Sequence, residues 1–150
     1  MDDEIKQWIH RYINAYQLVT RRIDARIRES MDVGLTSEQF QILRLIDAQP
    51  RCTSTYLAEV FCVGKSSITA IINRLAEAGV IERTRDEHDR RLVYLTITEY
   101  GRGLYETAEQ KVLEVISPYL MNFDKDKIEQ LIHMFERLAE LMQEPGGRNE

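Results

Sequence analysis

Apolar residues recur at steps of three and four through the first thirty positions: Ile5, Trp8, Ile9, Tyr12, Ile13, Tyr16, Val19, Ile23 and Ile27. That spacing predicts one long amphipathic helix over roughly 4–30. Arg21, Arg22, Arg26 and Arg28 make its other face basic, and Gly34 closes the element. "LTSEQFQILRLI" opens a second helix, with Thr36 or Ser37 as N-cap. Phe40, Leu43 and Ile46, with Ile42, form its buried stripe, and Pro50 stops it.

Two shorter helices follow. "TSTYLAEVF" starts at Thr53 or Ser54, "CVG" interrupts, and "KSSITAIINRLAEAG" ends at Gly79 as a C-terminal cap. In the second of these, Ile68, Ile71, Ile72 and Leu75 share one face, while Lys65, Ser66, Thr69 and Asn73 lie on or near the other. Two helices around a tight turn containing Gly fit a helix-turn-helix. The period then changes from 3.6 to 2. "VIERTR" and "LVYLTI" read as strands, with Val93, Leu95 and Ile97 alternating against Leu92, Tyr94 and Thr96. "DEHDRR" between them has no Gly, so it is a projecting loop rather than a two-residue turn. A helix-turn-helix followed by a hairpin with a charged tip is a winged helix.

Thr98 can cap a further helix over about 99–121, with Leu104, Ala108, Val112, Val115 and Tyr119 inward. "NFDKD" breaks it, and a last helix over about 125–142 carries Ile128, Leu131, Ile132, Phe135, Leu138 and Leu141. The fold class is therefore mainly α with a small β-hairpin wing. The end helices are too apolar to stand alone beside one small winged helix, and they would pack most simply across a two-fold axis. This assigns 1–34 and 99–145 to a dimerisation region, 35–98 to the DNA-binding winged helix, and 146–150 to a disordered tail.

Composition narrows the class. The 150 residues are 43% hydrophobic and 30% charged, with no apolar run near the ~20 residues a membrane span needs. "MDDEIKQW" opens acidic, unlike a secretory signal, so the expected compartment is the cytoplasm, with both cysteines reduced. The net charge of −5 argues against nucleic acid until its distribution is read. Acids and bases balance over residues 1–98, and the segment after them carries the whole excess. Phosphate binding is decided locally, so a neutral front part can still expose a basic face.

That face has identifiable parts. Short side chains at Ser66, Ser67 and Thr69 let a helix approach base edges, and Lys65 can reach phosphate or guanine. Asn73 and Arg74 extend the same surface. Thr53, Ser54 and Thr55 would anchor the DNA backbone, which positions the protein without reading sequence. The loop gathers Arg83, Arg85, Arg90 and Arg91 around Asp86, Glu87 and Asp89. A salt-bridged solvated loop is the ordinary reading of such mixed charge, but a wing tip gives the arginines a target.

In this order and spacing, "LTSEQFQIL", "LAEVF…SSITAIINRLAEAGVIER" and "DRR…ITEYG" resemble the multiple-antibiotic-resistance regulator (MarR) family over nearly the whole chain. The resemblance implies a homodimeric regulator of double-stranded DNA, often a repressor released by a phenolic ligand or by thiol oxidation. It implies that Arg91 enters the minor groove and Asp89 orients it, which suits the negative potential of narrow minor grooves. The sequence departs from the family at Gly64 and Lys65, which open the recognition helix, at Asn73, where an acid is common, and at Ile97, usually Leu.

Two weaker candidates remain. Cys52 and Cys62 could sense oxidants, although their spacing is not CxxC and burial as structural thiols is the commoner outcome. Trp8, Tyr12 and Tyr16 form an aromatic stripe suited to a dimer interface, and with Phe40 they could line a pocket for a small aromatic effector. His10, His88 and His133 lack metal-ligand spacing, and no cofactor is expected. A winged helix used only for protein contacts would carry apolar anchors in place of "KSSIT". An enzyme would need a nucleophile–base pair, a phosphate-cradling Gly loop or a metal cluster, and none stands in the sequence.

Overall fold

Thr36 opens the second helix through a reciprocal pair of bonds. Its Oγ1 accepts from Gln39 N–H at 3.1 Å, and its own N–H donates to Gln39 Oε1 at 3.0 Å, a capping box that satisfies two otherwise orphaned donors. In this computed structural model, which describes residues 2–32 and 34–143, the elements are α1 (Asp3–Ser30), α2 (Ser37–Ala48), α3 (Ser54–Phe61), α4 (Lys65–Glu77), β1 (Ile81–Arg85), β2 (Val93–Ile97), α5 (Glu99–Leu120) and α6 (Lys125–Gln143). The tail expected at 146–150 lies outside the described residues. No helix among the described residues is long and apolar enough to cross a membrane.

The chain forms two compact units, Met1–Val115 and Ile116–Glu150. In the first, α2, α3, α4 and the hairpin enclose the core. Phe40, Ile42, Leu43, Ile46, Leu57, Ile68, Ile72, Leu75, Ile81 and Leu95 are buried there, joined by Tyr105 and Ala108 from α5. The strands pair antiparallel with Ile81 opposite Ile97 and Arg85 opposite Val93. A third segment extends the sheet by one rung: Cys52 bridges Leu95, whose N–H donates to the Cys52 carbonyl at 2.8 Å.

Of α1, only Ile27 is buried among the described residues, and Trp8 remains 56% exposed. In the second unit, none of the α6 residues is buried, and Leu131, Ile132, Phe135 and Leu138 lie open. Each helix therefore presents an uncovered apolar stripe in the single chain.

The left-handed residue of the helix-turn-helix is Cys62 (φ 52°), the C-cap of α3, and Gly64 opens α4 as its N-cap at φ −65°. Two expectations are corrected. Tyr105, stacked on Phe40 with ring centroids 5.7 Å apart, occupies the core position in α5, and Tyr119 is exposed. Finally, α1 stops at Ser30 with Met31 as C-cap, before Gly34 is reached.

Gly101 fixes α5 against the end of the recognition unit. A Cβ there would stand 2.0 Å from the Val80 carbonyl oxygen, so only Gly permits this approach. Thr98 ties the same corner: its hydroxyl donates to Gly79 O at 2.6 Å and accepts from Gly101 N–H at 3.0 Å. These contacts hold the base of the hairpin to the C-terminus of α4, and so fix where both face solvent.

Candidate nucleic-acid interface

One face of α4 is core and the other is bare. Ile68, Ile72 and Leu75 point inward, while Lys65, Ser66, Ser67, Thr69, Asn73 and Arg74 are exposed. The helix starts at Gly64 with no side-chain cap, so its first N–H groups and the positive end of its dipole are open to an anion. Thr69 Oγ1 donates to the Lys65 carbonyl at 2.8 Å. Its proton is thereby spent inside the helix, and it shows its surroundings a methyl group and an acceptor. Such a pair suits a thymine methyl or a base amino group.

On α3, Thr55 is exposed and Thr53 and Ser54 are half-buried. Thr53 Oγ1 is already the helix cap, accepting from Tyr56 N–H at 3.1 Å. Its hydroxyl proton remains available to a phosphate, so capping and anchoring are compatible.

A side-chain bond runs from Arg83 Nη2 on β1 to Asn73 Oδ1 on α4 and joins the wing to that helix at the surface. At the tip, Asp86 does most of the folding. Its Oδ1 accepts from the N–H groups of His88 at 2.8 Å and Asp89 at 3.0 Å, and its Oδ2 accepts from the Tyr94 hydroxyl at 3.1 Å. The two backbone donors are the main reason its carboxyl is held below the usual carboxylate range. Asp89 Oδ1 accepts from the backbone N–H of Arg91 at 3.0 Å. Asp89 therefore meets Arg91 through its backbone N–H, and the acids shape the loop backbone. Among the described residues no ion pair engages Arg85, Arg90 or Arg91, and all three are exposed.

The other candidates separate. Cys52 is fully buried, and burial pushes its thiol up to about 11. Cys62, the left-handed C-cap of α3, is exposed, contrary to the expectation of burial. Phe40 belongs to the core, whereas Trp8, Tyr12 and Tyr16 stand on the open stripe of α1, with Tyr12 and Tyr16 stacked at 5.8 Å. No group of three metal-capable side chains occurs among the described residues.

Sequence reasoning missed Asp86, Tyr94 and Arg51 as organisers of the wing. The Arg51 guanidinium lies 5.5 Å from the Tyr94 ring centroid. The available signal was an Asp placed just after a strand, which favours a side-chain-capped turn.

Comparison with known proteins agrees with this geometry. The MarR family model matches residues 35–93. The HTH-type transcriptional regulator FarR of Neisseria gonorrhoeae is 30% identical over 108 residues, 72% of this chain and 74% of that protein. The homoprotocatechuate degradative operon repressor of Escherichia coli is 29% identical over 108 residues, 72% and 73% of the two chains. Among solved structures, BldR from Sulfolobus solfataricus, a transcriptional regulator, is 27% identical with a TM-score of 0.73, covering 93% of this chain and 99% of its own. A mutant of E. coli MarR complexed with operator DNA superposes with a TM-score of 0.71 at 23% identity, covering 83% and 91%. An exposed short-chained recognition helix, a hairpin wing and these likenesses converge: the chain belongs to the MarR family of winged-helix transcriptional regulators.

Proposed function

We propose that this regulator binds a pseudo-palindromic operator as a homodimer, in the cytoplasm, and represses transcription until a small aromatic ligand or an oxidant releases it. The observation that carries the DNA half of this reading is the bare face of α4, with Lys65, Ser66, Ser67 and Thr69 exposed beside an arginine-bearing wing. Base edges are reached by α4, phosphates by Thr53, Ser54, Thr55, Arg74 and Arg83, and the minor groove by Arg91. Arg85 and Arg90 add positive potential around it.

The homodimer is supported by the open apolar stripes of α1 and α6, since contiguous exposed apolar surface marks an interaction site. A ligand among Trp8, Tyr12, Tyr16 and Phe40 would need the partner protomer or a rearrangement to close around it, since Phe40 lies in the core. Oxidation would act first at exposed Cys62, in the turn between α3 and α4. Footprinting on an operator selected from random DNA tests the whole reading. Two protected half-sites about one helical turn apart, roughly 10 bp, are expected. A single asymmetric half-site contradicts it.

A further inference from the structure

The wing tip is built by residues that need not touch DNA. Asp86 closes the loop by accepting from His88 and Asp89 N–H and from the Tyr94 hydroxyl. Tyr94 belongs to β2 and is half-buried, so this bond ties the far end of the hairpin to its paired part. Behind Tyr94 stands Arg51, in the turn between α2 and α3, with its guanidinium 5.5 Å from the ring centroid. Arg51 adopts a left-handed backbone, φ 56°, which a non-glycine residue rarely does. The neighbouring Cys52–Leu95 rung holds that turn against β2. The α2–α3 turn and the hairpin tip thus meet at the Tyr94 side chain, which carries Arg51 on its ring and Asp86 on its hydroxyl.

We propose that Asp86, Tyr94 and Arg51 form a clamp that sets the direction of the wing tip, making them positioning residues for the DNA contact of Arg91. This rests on the DNA-binding reading above. The physical reason is preorganisation. A loop free in solution must lose its conformational freedom on binding, whereas a loop already closed by side-chain bonds has lost it at folding. The clamp also explains why an acid stands at the centre of a surface that must meet phosphates. Plain electrostatics gives Asp86 the wrong sign for DNA binding, so its place there calls for a structural return.

The sign supplies the test. Removing a carboxylate near DNA should tighten binding if charge alone matters. If the clamp matters, Asp86→Ala should instead weaken binding to the selected operator, by about tenfold if the loss approaches that of a charged hydrogen bond. It should also erase any preference for A·T-rich over G·C-rich flanks. Asp86→Asn keeps an oxygen for the two backbone donors and loses the acceptor for Tyr94. It should therefore match Tyr94→Phe, and the double variant should be no worse than either single one. Arg51→Gly, which keeps the left-handed backbone, should give a smaller loss of the same kind.

Amide hydrogen exchange, read by NMR without DNA, provides a second arm. His88 and Asp89 N–H should exchange at least severalfold faster in Asp86→Ala, with the core amides unchanged. Asp86→Ala that binds as tightly as wild type with the same flank preference, or that leaves those two amides equally protected, overturns the clamp. Wild type that selects no DNA sequence overturns the DNA reading instead, and the exchange arm then still decides whether the loop is clamped.

Discussion

Asn73 on α4 accepts a hydrogen bond from Arg83 Nη2 on β1, so the recognition helix and the wing are joined by a neutral acceptor holding a charged donor. The bond holds the guanidinium beside the exposed face of α4 with a neutral partner, so its positive charge is not cancelled there. An acid at the same place would hold the arginine as well but cancel it.

Asn73→Asp should therefore fold normally, with a stability gain of at most about 1 kcal/mol for an exposed ion pair. Its affinity for the operator should fall, and the slope of log K against log salt should shrink by about 0.9 if one phosphate contact is lost. Anisotropy titrations over a range of salt check this. An unchanged slope would mean that Arg83 serves the fold alone.

The corner at Gly101 makes a stability prediction. A methyl group there meets the Val80 carbonyl at 2.0 Å, and backbone has little room to yield. Gly101→Ala should cost about 3 kcal/mol, at the upper end of overpacking penalties, seen as a lower urea midpoint. A midpoint equal to wild type would show that α5 shifts freely.

The two thiols should behave oppositely. Alkylation of the native protein should modify exposed Cys62 and spare buried Cys52, as mass spectrometry would show. The native state holds the Cys52 proton up to about pH 11, whereas an unfolded cysteine releases it near pH 8.5–9. That contribution to stability is complete below about pH 9 and is lost as pH rises through about 11. A Cys52→Ala variant should therefore show a shallower alkaline fall in stability between those values, measured by urea unfolding at each pH. Equal slopes would remove Cys52 from the account of alkaline unfolding.

Dimerisation is tested far from DNA. If the stripes of α1 and α6 build an intersubunit core, Leu138→Asp should yield a monomer or a poorly folded chain that no longer binds operator. Sedimentation of wild type as a monomer at micromolar concentration would contradict it.

Much of this arrangement is legible in the sequence where periodicity carries it. The change of period at Val80 marks the hairpin, and the Thr36 and Thr53 caps mark two helix starts within a residue. What periodicity cannot show is what single side chains do at turns. Tyr105 falls outside the helical stripe read from the periodicity, and it is its stacking on Phe40 that places it in the core. Cys62 sits between apolar neighbours, yet it is the left-handed cap of α3 and is exposed. Arg51 and Asp86 are ordinary charged loop residues by composition, and their roles arise from a meeting with Tyr94 that local sequence does not encode. The wing acids illustrate the same limit: their presence near the arginines was evident, but not that backbone N–H groups would be their partners.

The central claim is that α4 reads bases while the wing meets the minor groove. It is tested most directly by the affinity of Arg91→Ala for the operator that wild type selects. Arg91 is exposed and makes no ion pair among the described residues, so the variant should keep the wild-type fold. Its binding should weaken by about 1–3 kcal/mol, more on sites with A·T-rich flanks than on G·C-rich ones. A folded Arg91→Ala protein that binds every site as tightly as wild type would contradict it.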